Sequence, residues 1–117
     1  MIYSHVIEQK NPLILAFIGD AVHTLNVRAQ LAAADAKVSD IHKSAILKCC
    51  AKSQAAEYDA LYGSFSDIEK DIANRARNAK HNTVPKSCTL AEYQKATALE
   101  AVLGYRYLIQ KNKEKSC

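Results

Sequence analysis

Leu13-Ile-Leu-Ala-Phe-Ile-Gly-Asp20-Ala-Val22 decides how this chain is read. Apolar residues fill nearly every position of two helical turns, so the segment shows no polar face before its acid. Asn11-Pro12 stands in front of it. That is a capping side chain followed by proline at the first helical position, where a missing N–H does no harm. The pattern predicts a helix from Pro12 to about Ala33, placed centrally because its first turns are apolar all round. A carboxylate inside such a helix is out of place. Burying it ionised costs several kcal/mol unless a cation or strong donors compensate it.

Of the twelve acidic residues, one other has similarly oily surroundings: Ala96-Thr-Ala-Leu-Glu100-Ala-Val-Leu-Gly104. Residues three and four apart share a helix face. Asp20 therefore has Ala16 one turn back and Gly19 beside it, while Glu100 has Thr97 one turn back and Gly104 one turn on. Small neighbours predict room for a hydrated ion between two helices. Mg²⁺ suits such a place, because it prefers oxygen ligands, keeps several waters and often takes only one or two carboxylates. The competing reading neutralises each acid with a local base, Arg28, Arg106 or Lys111. Spacing along the chain does not place two helices side by side, so both readings stand.

The remaining sequence predicts an all-α protein. The 117 residues are enough for one domain with a single core, taken as 1–117 with its core at about 11–111. Apolar residues make up 49% and charged residues 24%, and three Gly, two Pro and no long alternating run argue against strands. A second helix is expected from Ser39-Asp40 to just before Gly63, a left-handed stop, with Ile41, Ala45, Ile46, Cys49 and Ala56 facing inward. Ser66-Asp-Ile-Glu69 and Thr89-Leu-Ala-Glu92 both fit capping boxes. They open a third helix to about Ala79 and a fourth to about Lys111, separated by the loop Lys80 to Cys88. The lysine-rich tail Asn112 to Cys117 is expected to fray, and no room for a second domain is anticipated.

No stretch approaches the roughly 18 unbroken apolar residues of a membrane span. The first ten residues lack the layout of a signal peptide, so a cytoplasmic protein is expected. Cys49, Cys50, Cys88 and Cys117 form no CxxC and read as thiols acting as small hydrophobes.

Net charge is +4, and its placement says more than its size. Between Asp71 and Glu92 there is no acid, yet Arg75, Arg77, Lys80 and Lys86 fall there beside His81. Such a patch favours a polyanion. Asn78 and Thr83 lie among these bases as hydrogen-bonding groups for phosphate or 2′-hydroxyl, and Lys48 and Lys52 are weaker phosphate candidates. The plain alternative is a solvated basic helix end. His23, His42 and His81 show no metal-ligand spacing and read as packed or surface histidines. Tyr93, Tyr105 and Tyr107 read as core or interface residues.

The same residues carry a family resemblance. Leu15-Ala-Phe-Ile-Gly-Asp-Ala-Val22 resembles the signature helix of ribonuclease III, and Thr97-Ala-Leu-Glu-Ala-Val-Leu-Gly104 resembles its second acidic motif. Ile41-His42, Ala51-Lys-Ser-Gln-Ala55, Arg75-Ala-Arg-Asn-Ala-Lys80 and Thr83-Val-Pro-Lys86 are similar to the compact Mini-ribonuclease III group. That group has the catalytic domain without the usual double-stranded-RNA-binding domain. The resemblance covers roughly residues 11 to 108. It implies a helical endonuclease domain in which Asp20 is the catalytic aspartate and Glu100 the essential metal-binding glutamate, with Mg²⁺ as cofactor and Mn²⁺ as substitute. Ala16 and Thr97 stand where full-length ribonuclease III has further acids, and the compact group also has non-acidic residues there. The resemblance further implies a homodimer with the signature helix at its interface. The implied substrate is double-stranded RNA, in particular precursor 23S ribosomal RNA, with possible help from a ribosomal protein. Arg75, Arg77, Asn78, Lys80, Thr83 and Lys86 would then grip RNA. Two rival functions are a non-catalytic RNA-binding or ribosome-associated module of the same fold, and an all-helical nucleotide pyrophosphohydrolase. The second usually carries acids paired as ExxE, a pattern the sequence does not contain.

Overall fold

A computed structural model of the chain describes residues 4–80 and 83–116. Among them every regular element is helical: α1 (Ser4–Glu8), α2 (Pro12–Ala32), α3 (Val38–Cys49), α4 (Ala51–Leu61), a 3-10 turn (Tyr62–Ser64), α5 (Asp67–Asn78) and α6 (Leu90–Ser116). Three helix starts follow the sequence signals. Asn11 Oδ1 accepts from Leu13 N at 2.9 Å, with Pro12 in the first turn. Both capping boxes are closed, Ser66 with Glu69 and Thr89 with Glu92.

The centre is α6 rather than α2. Ala96, Ala98, Leu99, Ala101 and Val102 are all buried, and α1, α2, α4 and α5 pack around this stretch, while α3 lies outside on α2 and α4. Alanines on successive faces let four helices approach one axis. By contrast, α2 buries Leu15, Ala16, Gly19, His23 and Val27 but leaves Phe17 81% exposed, with Ile14 and Leu25 also open to solvent. Its all-round apolarity therefore does not mean that this chain covers it.

Four further expectations change. The predicted second helix breaks at Cys50, whose backbone is extended (φ −71°, ψ 157°) without Gly or Pro. The last carbonyls of α3 are instead taken by side chains: Ser53 Oγ donates to Leu47 O at 2.7 Å, Cys50 Sγ to Leu47 O at 3.1 Å and Gln54 Nε2 to Cys49 O at 3.3 Å. This break changes the inward face. Ala45 is buried as expected, but Ile46 and Ala56 are exposed, and Gln54, Ala55 and Tyr58 take the interior. Gly63 has no positive φ, and α4 ends by tightening into the 3-10 turn. Finally, α6 continues to Ser116, past the end placed at Lys111.

The N-terminal α1 had no sequence signal. It is held from outside itself, by Ile7, which is fully buried, and by Arg75, which donates to the carbonyl of Glu8. Helices α5 and α6 are likewise joined by the ion pair of Arg106 with Glu69. The Arg106 hydrogen bond holds the Glu69 carboxyl below its ordinary range. No described helix is long and apolar enough to cross a membrane.

Candidate active site

Two glycines bring the acids together. A Cβ on Gly19 would sit 1.6 Å from the backbone oxygen of Glu100, and one on Gly104 would sit 1.9 Å from that of Leu15. The backbones of α2 and α6 therefore touch where any other residue would hold them apart. These glycines were expected to leave space for an ion. They instead close the helix crossing and face Asp20 toward Glu100, so the ligand space lies beside the crossing.

That space is an open cleft of about 390 Å³ bounded by Ala16, Phe17 and Asp20 of α2, Tyr93, Thr97 and Glu100 of α6, and Lys80 and Thr83 of the loop. Asp20 is exposed and Glu100 is partly buried, so the expectation of two buried acids holds for Glu100 alone. Burial, reinforced by the hydrogen bond and charge of Asp20, pushes the Glu100 carboxyl up to about 8, while a hydrogen bond from Gln54 opposes the shift. Near neutral pH the Glu100 carboxyl thus tends to keep its proton. Of the three local bases proposed as partners, Arg106 pairs with Glu69 and Lys111 with Glu114, while Arg28 is exposed and forms no ion pair with either acid.

The pair fits a particular kind of cation. Among the described residues no cluster of three or more His, Cys, Asp or Glu side chains is poised around an ion. Ala16 and Thr97, at the two positions where more acids would complete a cage, are buried, and the Thr97 hydroxyl donates to Tyr93 O at 2.9 Å. Two carboxylates beside a wet cleft suit an octahedral ion that keeps most of its water, which describes Mg²⁺ better than Zn²⁺ or Ca²⁺.

The basic stretch divides. Lys80 and Thr83 reach the cleft. Arg75 bonds Asp71 at 3.0 Å and the Glu8 carbonyl, a structural clamp. Arg77 lines another recess with Tyr58, Asp59, Asn74 and Lys95. Asn78 and Lys86 are exposed outside the cleft lining, and His81 lies outside the described residues. Lys48 borders a third cavity, beside His23 and Glu57. Sequence reasoning overlooked Gln54, a buried amide of α4 that contacts His23 and the Cys49 carbonyl. His23 is packed as expected, buried with its Nε2 2.9 Å from Glu57 Oε2.

Residues 13–111 match the Ribonuclease III domain family. A Mini-ribonuclease 3 of Thermoanaerobacter is 44% identical over 99 residues, covering 84% of this chain and 70% of that protein. A Mini-ribonuclease 3 of Staphylococcus aureus is 40% identical over 101 residues, covering 84% and 75%. An X-ray structure of a Fusobacterium nucleatum protein superposes with a TM-score of 0.81 at 36% identity, covering 92% of this chain and 87% of that one. With the acidic pair at the crossing of its signature helix, this chain belongs to the ribonuclease III family, in its Mini-ribonuclease III branch, and is an endoribonuclease.

Proposed function

We propose that this endoribonuclease cuts double-stranded RNA by metal-assisted hydrolysis at the Asp20–Glu100 cleft. The observation that carries the reading is the pair itself: two acids from distant segments line one cleft, burial and Asp20 push the Glu100 carboxyl up, and no base among the described residues forms an ion pair with either. Asp20 and Glu100 hold the cation, and Lys80 at the cleft wall meets phosphate. A bound Mg²⁺, or Mn²⁺ in its place, would supply Lewis acidity and lower the pKa of water toward neutrality. Water adds to phosphorus, the bond to the 3′ oxygen breaks, and that oxygen takes a proton, leaving 5′-phosphate and 3′-hydroxyl ends. The family resemblance supports precursor 23S ribosomal RNA as substrate, with possible assistance from a ribosomal protein, and a cytoplasmic setting.

Purified protein incubated with labelled duplex RNA, single-stranded RNA and nucleoside triphosphates, with Mg²⁺ or EDTA, tests this reading. Cleavage of duplex alone, dependent on Mg²⁺ and lost in Asp20→Ala, is expected. Binding without cleavage would favour the non-catalytic module, and triphosphate hydrolysis the pyrophosphohydrolase.

The charge on the cleft wall makes a second expectation. Lys80→Glu should weaken duplex binding roughly tenfold and lower the slope of log K against log salt by about one. Arg75→Gln should leave that slope unchanged and lower the melting temperature, because its partners are Asp71 and Glu8. Filter binding at several salt concentrations separates the two.

The chain also acts as a homodimer in this proposal. Phe17, Ile18, Val22, Leu25 and Tyr107 border an apolar hollow of about 400 Å³ next to Asp20. An exposed apolar face of this kind on a small domain marks an interaction surface. A second copy laid along α2 would cover it and bring two clefts side by side, one for each RNA strand. Phe17→Asp is expected to give a monomer by analytical ultracentrifugation; a dimer unaffected by it would move the interface elsewhere.

A further inference from the structure

A second recess shares no lining residue with the cleft. It measures about 330 Å³ and is bounded by Tyr58 and Asp59 of α4, Tyr62 after it, Asn74 and Arg77 of α5 and Lys95 of α6. Its charges do not cancel. The Asp59 carboxylate is taken by Lys95 at 2.9 Å, while Arg77, half-buried, forms no ion pair among the described residues. Lys70, likewise without an ion pair there, stands over the ring of Tyr62, 5.4 Å from its centroid. Lys70, Asn74 and Arg77 fall four and three residues apart, so they share one face of α5 over about 10 Å of helix.

Tyr58 supplies an independent observation. The residue is 2% exposed, yet its buried hydroxyl finds no hydrogen-bond partner among the described residues. Its ring packs against Tyr62 and Phe65, with centroids 5.5 and 6.1 Å away, which keeps the hydroxyl from swinging out to water. Burial pushes the phenol up, and the neighbouring Arg77 guanidinium opposes that shift. The group therefore stays a neutral O–H donor at neutral pH, and a buried donor without an acceptor is costly. Beside it stand a guanidinium and an amide that also donate. An oxyanion satisfies such a set, and a guanidinium fork binds phosphate oxygens in pairs.

We propose that this recess is a second phosphate-binding subsite outside the cleft: Arg77 takes the anion, Asn74 flanks it, and the Tyr58 hydroxyl gains the acceptor it lacks as the guanidinium turns onto the phosphate. Arg77 is three residues from Lys80, which lines the cleft, so the two backbones are at most about 11 Å apart. The phosphate that fits is one on the RNA strand leaving the cleft, a few nucleotides from the bond that is cut, and Lys70 on the same face of α5 extends its path. That placement on RNA rests on the nuclease reading of the cleft; the phosphate site itself does not.

Nuclear magnetic resonance of the full chain in EDTA, where no cutting occurs, tests the subsite. Inorganic phosphate is titrated against chloride at equal ionic strength while the Arg77 Nε–H signal is followed. A saturable shift with phosphate and none with chloride is expected. Tyr58→Phe removes only the hydroxyl and should bind phosphate about tenfold more weakly. Its melting temperature in chloride should hold or rise, because no hydrogen bond is lost; a fall there with unchanged phosphate affinity would make the hydroxyl structural and overturn its role. Duplex RNA then identifies the source of the phosphate. Arg77→Gln, with folding confirmed by circular dichroism, is expected to weaken duplex binding severalfold and to lower its salt slope by about one. Unchanged affinity and slope would overturn the placement on RNA and give the recess to a free phosphate compound. A wild-type Arg77 signal that moves with neither inorganic phosphate nor duplex RNA would overturn the subsite and leave the cleft's nuclease reading intact. A phosphate shift in wild-type protein that neither binds nor cuts duplex RNA would keep the subsite and overturn the nuclease reading. The wild-type titrations decide the matter even where a variant does not fold.

Discussion

Glu100→Gln is expected to reduce duplex cleavage by roughly 10³-fold or more and, at pH 8 without metal, to raise the melting temperature. The first effect follows from losing one of only two carboxylates available to the cation, worth about 4 kcal/mol of barrier. The second follows from proton linkage. In the folded chain the Glu100 carboxyl is pushed up to about 8, against an ordinary value near 4.5. Between those values the folded state binds more protons than the unfolded one, so stability falls as pH rises through this window and stays reduced above it. Below about 4.5 the group makes no difference. A neutral glutamine escapes the loss, which amounts to a few kcal/mol at pH 8. Saturating Mg²⁺ should reverse the pattern, raising the wild-type melting temperature more at pH 8 than at pH 6 and leaving Glu100→Gln unmoved. Melting curves at both pH values, with EDTA and with Mg²⁺, check each part. A Glu100→Gln protein less stable than wild type at pH 8 in EDTA would show that the carboxylate is a structural group.

Gly19→Ala should be among the most damaging substitutions. On helix propensity alone, alanine gains about 1 kcal/mol over glycine. The tertiary structure reverses that sign. The new Cβ would meet the Glu100 backbone at 1.6 Å for oxygen and 2.5 Å for carbon, and a main chain cannot swing aside as a side chain would. Relief requires α2 and α6 to separate at the tightest point of their crossing, opening the packing around Leu15, Leu99 and Val102. A net loss on the order of 3 kcal/mol or more is expected, a fall in melting temperature of roughly 10 °C or more. Gly104→Ala meets Leu15 O in the same way and should behave alike. Gly63→Ala is the control: nothing lies within 4 Å of its Cβ and its φ is negative, so its melting temperature should hold or rise slightly. Any Gly19→Ala protein that folds should also bind Mn²⁺ poorly, since the two carboxylates move apart with the helices.

Much of this was legible in the residues. Caps at Asn11, Ser66 and Thr89 are local chemistry, decided within four residues, and each formed as read. The two acids stood out because a charge in an oily helix is anomalous wherever that helix lies. Other features escaped because their causes are not local. No helix breaker marks Cys49–Cys50; the break survives because Ser53, Cys50 and Gln54 take the carbonyls that α3 leaves open. Residues 4–8 carry no periodic signal, and α1 exists where Ile7 finds the core. The basic stretch read as one patch, yet helical rotation and the turn after α5 send Arg75 to Asp71, Arg77 to a separate recess and Lys80 to the cleft.

The amino-acid order by itself settled helix class and most helix starts and singled out the two carboxylates set in apolar stretches, since propensity, capping and the anomaly of a lone charge act over a turn or two of chain. Only the folded arrangement settled which helix is central, what Gly19 and Gly104 are for, which bases face the acids, and that Gln54 is buried beside His23. Those outcomes depend on the distance between segments far apart in sequence, and that distance is set by how closely two backbones can approach.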